Sequence, residues 1–439
     1  MAVPLYAQHT LTLEQCRELA IQNNKELKIT GEKIRQADYE KKEAFTTYFP
    51  KVSAMGGYLW KEKDLNLVDF DRFGAAGSLV PDNIRDLFRL DVHNIWVGSV
   101  SLVQPVFTGG KIITYNQITR YAKELAETMN DQQLQEVILQ VDVAYWQVIS
   151  LNSKLKLANA YVDLLQKTVN DIDAMIEEGV ATQADGLSVK VKLNEAQVAQ
   201  TKVENGLALS KMLLCQLCGL PLEDPVHLAD ENVDEVKVNV TAPAVVDVNE
   251  AFANRDELKA LDIATKIYKK KENLVTADLL PNVAFTANYL VTNPNLLNGV
   301  KTDFGGMFGL GVLVQVPITD WWGGTFKRNA ARAETRIKTL ELLAARELIE
   351  LQVHQSVYQM NESEKKLTAS YRNMDSADEN LRYASLGFEE GVIPVRNLME
   401  AQTAWMAAHS ELIDSQIEVK LSEVYLDKSL GRLSADEAK

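Results

Sequence analysis

The stretch LVQPVFTGGK, Leu102 to Lys111, reads as the end of a strand that runs through two glycines into a helix, and a cousin, LVQVPITDWWGGTF, begins at Leu313. Gly109 and Gly110, like Gly323 and Gly324, are expected to mark strand-to-helix junctions. A residue without Cβ lets the backbone swing from a tilted strand onto a helix axis without a clash. The GGK triplet is not a phosphate loop, because the upstream glycine and a Ser or Thr after Lys111 are both missing. A junction written twice directs attention to internal repeats.

The repeats are visible by eye. EEGV at Glu177 to Val180 recurs at Glu389 to Val392, LQV at Leu139 recurs at Leu351, and LCGL at Leu217 answers SLGRL around Gly431, all offset by 212 residues. NKELK around Leu27 answers RDELK around Leu258, and YFPKV around Pro50 answers LLPNV around Pro281, both offset by 231. The difference falls between Pro281 and Leu351, mostly because the polar stretch Leu59 to Ile95 has only a brief counterpart after Leu290. Each half therefore reads helix, strand, loop, strand, Gly-Gly, very long helix, turn, helix. The expected organisation is a first repeat over 1–220, a linker over 221–246 with short strands, a second repeat over 247–433 and a tail over 434–439.

From Leu134 the apolar positions Val137, Val141, Ala144, Val148, Leu151, Leu155, Ala158, Val162, Leu165, Val169, Ile172 and Ile176 alternate steps of three and four, the spacing of a coiled-coil seam. Upstream, Tyr115, Ile118, Ala122, Leu125 and Met129 keep that rhythm, with a slip of five residues before Leu134. No proline interrupts Lys111 to Glu177. Such a helix is on the order of 100 Å long at about 1.5 Å per residue.

The strands alternate with period two. Val283, Phe285, Ala287, Tyr289 and Val291 share one face, opposite Asn282, Thr286 and Asn288. Phe308, Leu310, Val312, Val314 and Val316 share another, opposite Met307, Gly309, Gly311 and Gln315. Val52, Tyr58 and Trp60, then Trp96, Val100 and Leu102, repeat this in the first half. Strands of about ten residues cross a bilayer when tilted, and Tyr48, Phe49, Trp321 and Trp322 are placed as an interfacial belt. Four strands cannot close alone, since an open edge in lipid leaves unpaired N–H and C=O groups. Two copies would give eight strands and three would give twelve, and only twelve leave room for a channel. The fold class read from the sequence is mainly α with a membrane β part: a coiled-coil helical barrel, plus four transmembrane strands per chain completing a twelve-stranded trimeric barrel.

Composition narrows the function. The chain has 439 residues, 46% apolar, and a formal net charge of −15, which argues against nucleic acid or anionic headgroups as main partners. No window approaches the eighteen or so continuous apolar residues of a membrane helix. Cys215 and Cys218 stand at C-x-x-C spacing, but a zinc site needs two more ligands and only His227 lies near. Cys218 reads instead as a small core residue beside Leu214 and Leu217. Cys16 follows no apolar signal core, so lipidation there is unsupported, and the opening MAVPLYAQ resembles the tail of a removed signal peptide. No Ser-His-Asp set, HExxH pair or spaced carboxylate cluster appears, and His354 and His409 fall on coiled-coil helices. Neither an enzyme nor a cofactor nor a metal centre is expected.

The duplicated QPVFTGGK, EEGVATQADGLSVK and EEGVIPVRNLMEAQ, in an order running from LTLEQCRELAIQNN to SLGRL, resemble the TolC-like outer-membrane efflux proteins over nearly the whole chain. The resemblance implies a homotrimer in outer-membrane lipid, continued by a periplasmic tunnel, acting as exit duct for an inner-membrane pump through a periplasmic adaptor protein. Small molecules such as drugs are the expected cargo; secreted proteins or metals, or a purely structural coiled coil, are the alternatives. It also implies that the turns at Gly179, Val180, Gly391 and Val392 are tunnel tips that dock the adaptor. Enteric relatives carry acids six and nine residues after the second tip glycine; here these are Asn397 and Glu400, while Asp185 stands six after Gly179. A latch-forming tyrosine and arginine are replaced by Phe388 and Ile393, so closure is expected to rest on apolar packing. Glu177, Glu178, Glu389 and Glu390 give four acids per chain near the tips, a candidate acidic ring favouring cations.

Overall fold

The computed structural model describes residues 10–62, 65–66, 68–90, 93–232, 246–295 and 302–433. The opening segment 1–9, residues 233–245 of the linker read over 221–246, and the tail 434–439 lie outside the described residues. Helices α1 (Leu13–Asn23) and α2 (Lys25–Thr46) lead into strands β1 (Lys51–Trp60) and β2 (Asn94–Phe107), then into helices α3 (Lys111–Glu177) and α4 (Gln183–Cys218). The second half follows with α5 (Val248–Asn254), α6 (Asp256–Ala277), β3 (Asn282–Asn293), β4 (Gly305–Gln315), α7 (Asp320–Glu389) and α8 (Val395–Leu430). The long helices have 67 and 70 residues, and both return helices have 36.

The two sequence offsets reappear as one packing built twice. α4 and α8 each end on a glycine with φ of 71°, Gly219 and Gly431. A Cβ on Gly219 would strike Asn23, and one on Gly431 would strike Asn254. The glycines are 212 residues apart and the asparagines 231, the offsets that relate the two halves of the sequence.

Two compact units cut across the repeats. One is helical and gathers Met1–Arg35, Leu125–Asp262 and Leu340–Lys439; the other gathers Gln36–Glu124 and Ile263–Thr339. In the helical unit, Val137, Val141, Ala144 and Val148 of the α3 seam are buried with Cys16 and Ala20 of α1 and Leu214, Cys215 and Cys218 of α4. α1 begins at a reciprocal cap, with Thr12 Oγ1 accepting from the Gln15 amide and Gln15 Oε1 accepting from the Thr12 amide. Upstream of the five-residue slip Met129 is exposed, so the seam is buried only after the slip. Thr10–Leu11 pairs in parallel with His227–Leu228, which supplies a short strand of the kind expected in the linker.

The second unit carries a four-stranded antiparallel sheet in the order β1-β2-β3-β4. Its register sorts the side chains by face. Val52, Leu102, Ala287 and Leu310 stand in one cross-strand row, and Ala54, Val100, Tyr289 and Phe308 in the next row of that face. The opposite face carries the row Ser53, Ser101, Asn288 and Gly309. It is not uniformly polar, because Met55, Leu290 and Met307 stand with Ser99 in the following row. Among the described residues neither the outer edge of β1 nor that of β4 is paired. Val316 falls one residue beyond β4 rather than on its apolar face. The β1–β2 connection, read as a long polar loop, contains short helical turns at Phe70–Phe73, Gly74–Gly77, Asp82–Arg85 and Asp86–Phe88.

The two junctions differ. Gly109 and Gly110 have φ of 61° and 87° and immediately precede α3, as the strand-to-helix reading requires. Space is short there as well, since a Cβ on Gly109 would lie 2.8 Å from the Ala277 carbonyl oxygen. Gly323 and Gly324 do not repeat this role. They lie inside the first turns of α7, which starts at Asp320, and neither has a positive φ. The chain leaves β4 after Gln315, and Pro317 two residues on has no N–H to continue the ladder. Gly324 admits a close neighbour instead, as a Cβ there would strike the Leu279 side chain.

Candidate functional site

The turns between the long helices and their return helices are built alike. At the first, the Gly179 amide donates to the Ile176 carbonyl at 3.0 Å and the Val180 amide to the Met175 carbonyl at 2.9 Å. At the second, the Gly391 amide donates to the Phe388 carbonyl at 3.0 Å and the Val392 amide to the Gly387 carbonyl at 2.8 Å. Gly179 and Gly391 have φ of 77° and 69°, the left-handed conformation that ends a helix and satisfies its last carbonyls. The residue after each glycine is thrust outward, with Val180 67% and Val392 77% exposed.

Beneath the turns both hairpins share one core. Leu165, Val169 and Ile172 of α3 and Val189, Leu193 and Ala196 of α4 pack with Phe388 of α7 and Val395, Leu398 and Ala401 of α8. Phe388, a candidate gate residue, is only 5% exposed and belongs to this core. Its ring packs within its own chain. A buried hydrogen bond from Gln402 Nε2 to Thr168 Oγ1, 2.9 Å long, ties α8 to α3.

The candidate acids divide into engaged and exposed groups. Asp185 is an N-cap partner: the Thr182 amide and hydroxyl donate to its carboxylate at 3.1 and 2.6 Å, and Thr182 Oγ1 accepts from the Asp185 amide at 3.2 Å. Those hydrogen bonds hold its carboxyl below the ordinary aspartate range. The second repeat lacks this box, because Pro394 caps α8 without a side-chain bond and Asn397 stands exposed. Glu400 pairs with Arg396 at 3.1 Å, one turn apart, and Glu389 faces Lys167 of α3 at 3.8 Å. Glu177, Glu178 and Glu390 are exposed beside the glycines. The acids are therefore partly matched by bases that the sequence pattern did not pair with them. Thr182-x-x-Asp185 is the spacing of a capping box and was the readable signal for its role; the Lys167–Glu389 approach joins residues too far apart in sequence to be read from it.

The chain thus combines a twice-built hairpin, a shared subjacent core and an open antiparallel sheet with one apolar and one mixed face. The outer membrane efflux protein profile matches residues 16–220 and 248–432, well over half of the chain. The chain belongs to the outer membrane efflux protein family. Among curated relatives, outer membrane protein TolC of Vibrio cholerae serotype O1 is 20% identical over 306 residues, covering 69% of each chain. Among solved structures, the outer-membrane channel OprN superposes with a TM-score of 0.78 at 16% identity, covering 96% of this chain and 90% of that one. The outer membrane protein VceC from Vibrio cholerae gives a TM-score of 0.75 at 13% identity, covering 95% and 96%. At those identities the structural likeness speaks for the fold alone. Family membership places this chain in the outer membrane with a periplasmic extension, as an exit duct for efflux.

Proposed function

We propose that three copies of the chain form the duct, joining their sheets edge to edge in one twelve-stranded barrel. In the same reading, the hairpin turns dock the periplasmic adaptor through which an inner-membrane pump delivers small molecules such as drugs. The open antiparallel sheet carries this reading. Because β1-β2-β3-β4 alternate in direction, β1 and β4 run opposite ways, and β4 of one copy meets β1 of the next as an antiparallel pair. Lipid cannot satisfy the N–H and C=O groups of an edge, which makes closure obligatory there. Two copies would give a barrel filled by its own side chains, whereas three leave a lumen. The row Val52, Leu102, Ala287 and Leu310 then meets lipid, and the row Ser53, Ser101, Asn288 and Gly309 meets water.

At the turns, Val180 and Val392 are paired apolar contacts suited to an adaptor, and Glu177, Glu178, Glu389, Glu390 and Glu400 surround them with negative charge that favours cations. In cells lacking the chain, a fluorescent pump substrate should accumulate, and the parent chain should restore its export. The double substitution Val180→Asp, Val392→Asp should assemble in the outer membrane at the parental level yet leave the dye inside. Normal export by an assembled double variant would refute docking at these turns, and unchanged accumulation on deletion would refute a small-molecule cargo.

A further inference from the structure

The chain has three cysteines, and all three converge in one core. Cys16 of α1 and Cys215 and Cys218 of the last turn of α4 are 0, 1 and 0% exposed, and they stand as separate thiols. The Cys218 thiol donates to the Cys16 carbonyl oxygen at 3.6 Å. Cys215 turns elsewhere, donating to the Asp224 carbonyl oxygen at 3.9 Å. Among the described residues no cluster of His, Cys, Asp and Glu is arranged to hold a metal ion.

We propose that Cys16 and Cys218 are joined by a disulfide in the mature protein, with Cys215 left as a buried thiol. The compartment follows from family membership, since both sides of the outer membrane lie outside the reducing cytoplasm. Geometry selects the pair. Residues three apart on a helix hold their Cβ atoms about 5–6 Å apart, whereas a disulfide needs roughly 3.5–4.5 Å. The last turn of α4 is fixed by the Leu220 amide on the Cys215 carbonyl at 2.8 Å and the Gly219 amide on the Gln216 carbonyl at 3.1 Å, so a Cys215–Cys218 bond would have to unwind it. Cys16 comes from another helix, and the Cys218 thiol already touches its carbonyl oxygen at 3.6 Å, so pairing these two leaves the turn intact.

The bond forms before the core closes. The neighbouring Cys218 and burial push the Cys16 thiol up, and burial pushes the Cys215 thiol up to about 11, so neither of these two ionises readily once the core has closed. During folding, the Cys218 thiolate attacks the disulfide of a periplasmic dithiol oxidant, and one donor sulfur leaves as a thiolate. The Cys16 thiolate then attacks Cys218 sulfur in the mixed disulfide and expels the donor. Two electrons pass to the donor, and the two protons lost by the chain's thiols end on the donor's thiols. The result closes the whole first repeat covalently, from α1 to the end of α4. The second repeat has Asp247 and Leu430 at the equivalent positions and cannot copy it.

The test uses full-length protein extracted from outer membranes, denatured without reductant in excess maleimide-polyethylene glycol, and read by gel shift. One adduct per chain is expected before reduction and three after it, with peptide mapping linking the Cys16 and Cys218 peptides. The Cys215→Ser variant should give no adduct before reduction and two after. Three adducts on the unreduced parent, or a map that links Cys215 to Cys218, would overturn the proposal. Because the label is applied to denatured parent chain, a variant that misfolds does not blunt the result.

Discussion

Asp142 has no exposed side-chain surface, and its carboxylate is held by Arg17, whose Nε and Nη2 donate at 2.7 and 2.6 Å. Burial nevertheless outweighs those bonds and pushes its carboxyl above the ordinary aspartate range. Removing Arg17 alone strands a buried charge, a change that costs about 3 to 5 kcal/mol. Arg17→Met should therefore lower the thermal midpoint of the purified protein sharply, while Arg17→Met with Asp142→Leu should recover most of the loss. In the single variant burial is unopposed, so the folded carboxyl binds its proton more tightly than the unfolded one. Its deficit against the double variant should shrink in acid and grow as pH rises through the raised value. A double variant no more stable than the single one would show that the pair is not isolated in this way. Such a pair was not legible in the sequence, because Arg17 and Asp142 are brought together only by the packing of α1 on α3. The approach of Cys16 to Cys218 was not legible for the same reason. The capping role of Asp185 was legible, because the threonine three residues before it announces a cap.

At the scale of elements, periodicity carried most of the reading. Alternation in NVAFTANYLV and FGLGVLVQV placed β3 and β4, because a period of two admits only one division into faces. The unbroken seam from Val137 to Ile172 likewise placed α3. The Gly-Gly pairs misled where identity of letters stood in for conformation: Gly109 and Gly110 adopt positive φ, whereas Gly323 and Gly324 are ordinary helical residues behind a break made at Pro317. The face assignment can be tested with neighbours. Leu310 belongs to the apolar row, and Gly309 to the row with Asn288, where a Cβ would meet nothing within 4 Å. An arginine on the lipid face near the midplane costs about 2 to 4 kcal/mol. Leu310→Arg should therefore deplete the chain from isolated outer membranes, and Gly309→Arg should leave it near the parental level. Equal depletion by the two would mean that the faces are exchanged or that neither meets lipid.

For the whole molecule, the decisive feature is incompleteness. A sheet whose two edges are unpaired among the described residues, with exposed apolar rows, is stable in lipid only when other copies finish it, and the antiparallel order permits identical copies to do so around a ring. The strand count per chain was legible in the sequence because each half wrote two strands; the number of copies was not, since parity allows both two and three, and the choice between them rests on the need for a lumen. The most direct test is the protein mass of the particle in mild detergent, measured by light scattering with refractive-index and absorbance detection. Three chains of 49.0 kDa are the expected result, and a stable particle holding one or two would contradict the twelve-stranded duct.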